Sequence, residues 1–144
     1  MNAENSEHKS IVINSNASSI DRICRQLLSE ATSYGFDEDQ LFAIHLAVEE
    51  AFLNAVKHGN RLDAQKKVTV EYVVTPEKFE ISITDQGSGF DPDALPDPRR
   101  DENLYKSCGR GVLIIRSYMD VVEYNRTGNS IHMVKYKTAI KNKS

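Results

Sequence analysis

The sequence predicts an α+β domain, a mixed and mostly antiparallel sheet with helices on one face. Two stretches, 20–31 and 41–55, place apolar residues at three- and four-residue spacing, the period of a helix that buries one side. Two others, 68–74 and 79–83, alternate apolar with mostly polar positions, the period of a strand. The resulting order of strand, two helices, two strands, irregular segment, helix and two strands suits an antiparallel or mixed sheet covered on one side.

Each element has a local reason. Ile11, Val12 and Ile13 followed by Asn14, Ser15 and Asn16 read as a short strand entering a turn, and Ser18 and Ser19 as the cap of a helix. That helix carries Ile23, Cys24, Leu27, Leu28 and Ala31 and stops at Gly35. Asp37 and Gln40 form the pattern of a capping box, opening a central helix that runs to Gly59. Leu41, Ile44, Val48, Ala51 and Ala55 make its core stripe; Leu46 and Leu53 lie opposite, so more than one face should be covered.

After the polar segment NRLDAQKK come the two alternating strands, joined by a turn at Thr75, Pro76, Glu77 and Lys78. Residues 85–107 contain Gly87, Gly89, Pro92, Pro96 and Pro98 with little periodicity. Structureless segments this long inside a compact domain tend to be binding loops, so a lid is expected over about 91–107. Gly109 and Gly111 open a further helix with Val112, Ile115 and Met119 inward, and a hairpin turning across Thr127, Gly128 and Asn129 closes the chain. About 1–9 and 138–144 read as flexible tails of a single domain over 1–144.

Composition narrows the function classes. The chain has 144 residues, 40% apolar and 27% charged, which fits one folded domain and not a disordered chain. Eighteen basic against 21 acidic side chains leave a net charge of -3, which disfavours duplex nucleic acid and anionic membrane as direct partners. No apolar run approaches the ~20 residues of a bilayer span, and the polar opening MNAENSEHKS resembles no secretory signal. Cys24 and Cys108 lie far apart without a CxxC or His/Cys cluster, arguing against a disulfide framework or zinc site and for a reducing, cytoplasmic compartment.

Three segments exceed what packing requires. In EEAFLNAVKHGN, Glu50 and Asn54 are one helical turn apart and Lys57 one turn further, on a stripe shared with Ala43 and Ala47, whose small side chains should leave space beside them; Glu49 points elsewhere. Glu50 and Lys57 alone also read as solvated helix surface, but a mid-helix Asn among apolar neighbours calls for a specific partner, and its neutral oxygen suits a hard cation such as Mg2+. In ITDQGSGFDP, Asp85 ends a strand and Gly87 and Gly89 permit close backbone approach or positive φ. Asp-Gln-Gly can be a plain turn; the carboxylate can equally accept from an exocyclic amine such as that of adenine. In CGRGVLIIRSYMD, Gly109, Arg110 and Gly111 precede an apolar helix, where amide N–H groups and a guanidinium can meet an anion, although an ordinary loop-to-helix junction has the same form. Neither GxGxxG nor GxxxxGK[ST] occurs, which excludes Rossmann and P-loop readings.

In order and spacing, EAFLNAVKHG, DQGSGF and GRGVLIIRSYMD resemble the N, G1 and G2 boxes of the GHKL ATPases. The short lone domain, the glutamate four residues before the asparagine and the R-S-Y-M-D ending most resemble the anti-sigma factor serine/threonine kinases, over about 10–137. The resemblance implies a two-layer α/β sandwich of Bergerat type holding ATP and Mg2+. It makes Glu50 the general base, Asn54 the Mg2+ ligand, Asp85 the reader of the adenine amine, and Gly87 and Gly89 the border of base and ribose. Lys57 and His58 complete the first box, and Gly109, Arg110 and Gly111 line the phosphates. It implies a STAS-type anti-anti-sigma protein as substrate, allows a sigma factor as a second partner, and allows a homodimer. Arg110 stands where spore-forming relatives commonly carry an apolar residue.

The competing reading is an ATP-dependent binding module of the same fold that transfers no phosphate; Glu50 favours catalysis, since a binder has no need of a carboxylate there. A sensor histidine kinase would need a helical hairpin carrying its phosphoacceptor, and His8, His45, His58 and His132 lie in none. Gyrase- and mismatch-repair-type ATPases need a transducer domain for which no residues remain.

Overall fold

The computed structural model describes residues 8–87 and 113–137. Strand β1 (Lys9–Asn14) leads through a 3-10 turn (Ala17–Ser19) into helices α1 (Ile20–Ser33) and α2 (Glu38–Asn54), the second continuing as a π turn (Ala55–Gly59). Strands β2 (Lys67–Val74) and β3 (Lys78–Thr84) follow, then helical residues 113–118 and strands β4 (Val121–Tyr124) and β5 (Ser130–Tyr136). The sheet order is β1-β2-β3-β5-β4. Of the antiparallel or mixed sheet expected, all four pairings among the described residues are antiparallel.

Helix α1 buries Ile20, Ile23, Cys24, Leu27 and Ala31, the expected stripe with Leu28 at its margin. Its start differs from expectation: Ser19 makes no side-chain cap, and Asn16 Oδ1 instead accepts from the Ser18 amide at 3.0 Å. The cap is displaced because the inserted 3-10 turn already occupies the first amides. The helix ends at Gly35, whose φ of +93° only glycine adopts without strain. Lys137 Nζ donates to the Tyr34 carbonyl at 2.7 Å, placing a cation at the negative end of α1.

The capping box of α2 forms as the sequence predicts, with Gln40 N–H to Asp37 Oδ1 and Asp37 N–H to Gln40 Oε1 both at 2.8 Å. Two adjoining rows are buried, Ala43, Ala47, Ala51 and Ala55 beside Ile44, Val48, Phe52 and Val56, a broader face than a single stripe. Ala43 and Ala47 are themselves covered. The core joins all residues of the two rows but Ala43 to Val68, Val70, Tyr72 and Val74 of β2 and Phe79, Ile81 and Ile83 of β3. Both alternating runs thus direct their apolar sides to the helices. On the other face, cross-strand polar contacts such as Ser82 to His132 Nδ1 and His132 Nε2 to Glu80, each 2.9 Å, stay partly exposed. The Cys24 thiol, pushed up to about 12 by burial and then by Glu49 and Asp21, remains protonated and packs as a small apolar group. Among the described residues no helix is long and apolar enough to cross a membrane.

Ile44 is fully buried on α2, whereas Val12 is 62% exposed on edge strand β1. Ile44→Ala should therefore lower unfolding free energy by about 2–5 kcal/mol, and Val12→Thr should stay within about 0.5 kcal/mol of wild type. Urea titration of both variants checks this; equal losses would contradict the assignment of core and edge.

Candidate functional site

Glu50 and Asn54 lie one turn apart near the end of α2, both half-buried, and the Asn54 carboxamide makes no capping bond to the helix that follows. Beyond Asn54 the helix widens. The Asn60 amide donates to the Ala55 carbonyl at 2.7 Å and the Leu62 amide to the Val56 carbonyl at 2.8 Å, five and six residues back instead of four. A π turn of about 4.4 residues per revolution rotates later side chains away from the α-helical stripe. Lys57, expected one turn beyond Asn54 on the same face, accordingly lies exposed. His58 is half-buried, and its pKa is lowered by burial and then by Lys57. Its imidazole is therefore neutral at physiological pH.

Asp85 follows β3 directly, and its backbone is held from the β4–β5 turn on both sides. Its amide donates to the Asn129 carbonyl at 2.9 Å, and Asn129 Nδ2 donates to its carbonyl at 3.1 Å. Its carboxylate accepts from the Gly87 amide at 2.8 Å through Oδ1. Burial raises its pKa, partly opposed by the Gly87 hydrogen bond and by Lys66. The result is a desolvated acceptor with no salt-bridge partner among the described residues.

Two glycines make that placement possible. A Cβ on Gly59 would fall 2.1 Å from Asp85 Oδ2, and a Cβ on Gly87 would fall 1.9 Å from the Gly59 carbonyl oxygen. Of the two reasons for glycine that the sequence offers at position 87, close approach and not positive φ applies. The structure thus joins Asp85 and Gly87 to the C-terminal end of the helix that carries Glu50 and Asn54. Gly89, Gly109, Arg110, Gly111 and the expected lid lie outside the described residues.

Three participants escape the sequence reading. Gly59 looks like an ordinary helix stop, Asn129 an ordinary turn residue, and Asn60 the start of a polar loop. Asn60 is in fact fully buried. No periodicity marks it, since its partners come from three distant segments.

Chemically, Asp85 fits a neutral donor such as an exocyclic amine, because a half-buried carboxylate engaged on one oxygen retains acceptor capacity on the other. Among the described residues no group of three His, Cys, Asp or Glu could hold a metal ion.

Comparison with known proteins gives the same direction. Residues 13–135 match the histidine kinase-like ATPase domain. The chain is 31% identical over 113 residues to the serine-protein kinase RsbW of Listeria monocytogenes serovar 1/2a, covering 74% of this chain and 72% of that protein. The chain belongs to the anti-sigma factor kinase family of histidine kinase-like ATPases. RsbW of Bacillus subtilis is 27% identical over 113 residues, covering 74% of this chain and 71% of its own. The anti-sigma F factor of Oceanobacillus iheyensis is 35% identical over 107 residues, covering 67% and 70%.

The raised pKa of Asp85 has a stability consequence. A carboxyl with a folded pKa above its ordinary value of 3.8 contributes stability that is present below the unfolded value and lost as pH rises through the folded one. Asp85→Asn keeps an acceptor for the Gly87 amide and removes the desolvated charge. Its melting temperature should match wild type near pH ~3 and exceed it as the pH rises above ~4 through the raised folded value, where the difference levels off. Thermal melts across that range test this, and a pH-independent difference would contradict the burial of an ionised carboxylate.

Proposed function

We propose that the protein is a serine/threonine kinase of the anti-sigma factor type. It transfers the γ-phosphate of ATP to a hydroxyl of a STAS-type anti-anti-sigma protein and also sequesters a sigma factor, acting in the cytoplasm as a homodimer. The observation that carries the reading is the half-buried Asp85, held by the Gly87 amide and shaped around Gly59. Such an acceptor is ready for the adenine amine. The kinase names of the relatives support phosphoryl transfer over binding alone.

In this reading Asp85 orients the base, and Gly87 and Gly89 border base and ribose. Lys57 lies near the nucleotide as a cation, and His58 as a neutral hydrogen-bonding group. Gly109, Arg110 and Gly111 line the phosphates under a lid spanning about 91–107. Asn54 supplies an oxygen to Mg2+, which when bound neutralises phosphate charge. Glu50, one turn before Asn54 on the same helix, takes the proton of the partner's hydroxyl as that oxygen bonds to the γ-phosphorus and the bond to the bridging oxygen of ADP breaks. Phosphoryl transfer depends mainly on positioning and charge neutralisation, so one carboxylate with a metal and a backbone cradle suffices.

Glu50→Gln keeps size and reach but cannot take the proton. ATP affinity should be nearly unchanged while partner phosphorylation falls by ~100- to 10,000-fold. Glu49→Gln should do little, since Glu49 lies close enough to Cys24 on α1 to raise its pKa. Asn54→Ala should weaken Mg-ATP binding and leave metal-free ATP binding nearly constant. Calorimetry and transfer of labelled phosphate to the organism's own STAS-type proteins measure these effects. Unimpaired phosphorylation by Glu50→Gln would remove the base and leave the ATP-dependent binding module.

A further inference from the structure

Asn60 is a fully buried polar residue at the meeting point of four segments. Its Nδ2 donates to Ser15 Oγ at 3.1 Å, after β1, and to the Lys67 carbonyl at 3.0 Å, at the start of β2. Its Oδ1 accepts from the Gln86 amide at 2.8 Å. Both donor hydrogens and the carbonyl oxygen of the carboxamide are engaged. An apolar residue here would leave the Gln86 N–H without its partner.

The chain adopts unusual geometry to bring Asn60 there. The π turn precedes it, and Arg61 and Leu62 follow at φ of +54° and +62°, a left-handed conformation unfavourable for side chains of their size. An ordinary α-helical exit would avoid both features. What the geometry achieves is contact between the end of α2 and the segment from Asp85 to Gly87. Gln86 sits between the carboxylate that faces Gly59 and the glycine that touches its carbonyl.

We propose that Asn60 is a positioning residue for base selection. By holding the Gln86 amide it fixes the Asp85 carboxylate against the end of α2, where it accepts from a purine bearing an amine at C6 and repels one bearing a carbonyl oxygen there. The inference rests on the nucleotide reading and adds to it the residue that enforces adenine over guanine or hypoxanthine. Asn60 itself does not touch the base.

Calorimetry of the full chain with ATP, GTP and ITP tests this. Wild type should prefer ATP. In Asn60→Ala the affinity for ATP should fall about tenfold or more, with GTP and ITP binding little changed, so that selectivity collapses. Ser15→Ala removes a different arm of the same network and should lower the melting temperature while keeping selectivity. Should Asn60→Ala not fold, Asn60→Ser is measured the same way, since a hydroxyl cannot span the three partners. A folded Asn60 variant that melts earlier but keeps wild-type selectivity would show Asn60 to be structural only and overturn the proposal.

Amide exchange of the nucleotide-free protein separates the latch from the nucleotide reading. The Gln86 N–H should exchange about tenfold faster or more in the Asn60 variant. Unchanged exchange would overturn the latch whatever the nucleotide results. If wild type binds no adenine nucleotide, the selection role falls with the reading, even where exchange shows that Asn60 holds Gln86.

Discussion

Where Gly59 faces Gly87, two backbones meet with no side chain between them, and the position of Asp85 follows from that contact. A methyl group on either glycine would collide with the carboxylate or with a carbonyl oxygen, so the spacing between helix end and strand end is set by backbone atoms. Side-chain packing tolerates adjustment of rotamers; a backbone-to-backbone contact of this kind does not. Everything proposed for the site depends on that fixed spacing. It places the acceptor after β3 beside the C-terminal end of the helix bearing Glu50 and Asn54.

The rest of the fold keeps that junction in place. Antiparallel pairing puts β3 between β2 and β5, so the segment leaving it is bounded by the start of β2 on one side and the turn before β5 on the other. Lys67 at the first position donates its amide to Gln86 Oε1, and Asn129 at the second holds the Asp85 backbone. The two buried rows of α2 seat that helix on the sheet, and the capping box fixes where it starts. With α2 anchored at its start and along its length, the π turn is the remaining adjustment that brings Gly59 and Asn60 into contact with the β3 exit.

Much of this was legible in the sequence, for physical reasons that differ between elements. The strands were readable because Val68, Val70, Tyr72 and Val74, and then Phe79, Ile81 and Ile83, recur at every second position with mostly polar residues between them, and such alternation has one structural meaning. The start of α2 was readable because Asp37 and Gln40 cap it through local bonds. Asp85 and Gly87 stood out as an acid and a glycine at a strand end, and Glu50 and Asn54 as polar residues on one helical face. The π turn was not legible, since Ala-Val-Lys-His-Gly continues a helix acceptably by local preference and is widened only by tertiary contacts. Asn60 was hidden for the same reason. Its place in the network comes from Ser15, Lys67 and Gln86, which no local rule connects.

The site also shows how stability and recognition oppose one another. The outer face of the sheet keeps its polar groups in partly exposed contacts, such as the hydrogen bond of His132 with Glu80 and the ion pair of Lys78 with Glu80, where solvent limits both cost and benefit. Asp85 is treated differently: it is half-buried, and its hydrogen bond from the Gly87 amide does not cancel the effect of desolvation, because the net direction of its pKa remains upward. In the free protein the ionised carboxylate is therefore unfavourable where it stands. In the proposed nucleotide site, a ligand that donated a hydrogen bond to it would offset part of that cost, so the desolvation that weakens the free fold would strengthen discrimination between a donor and an acceptor on the base.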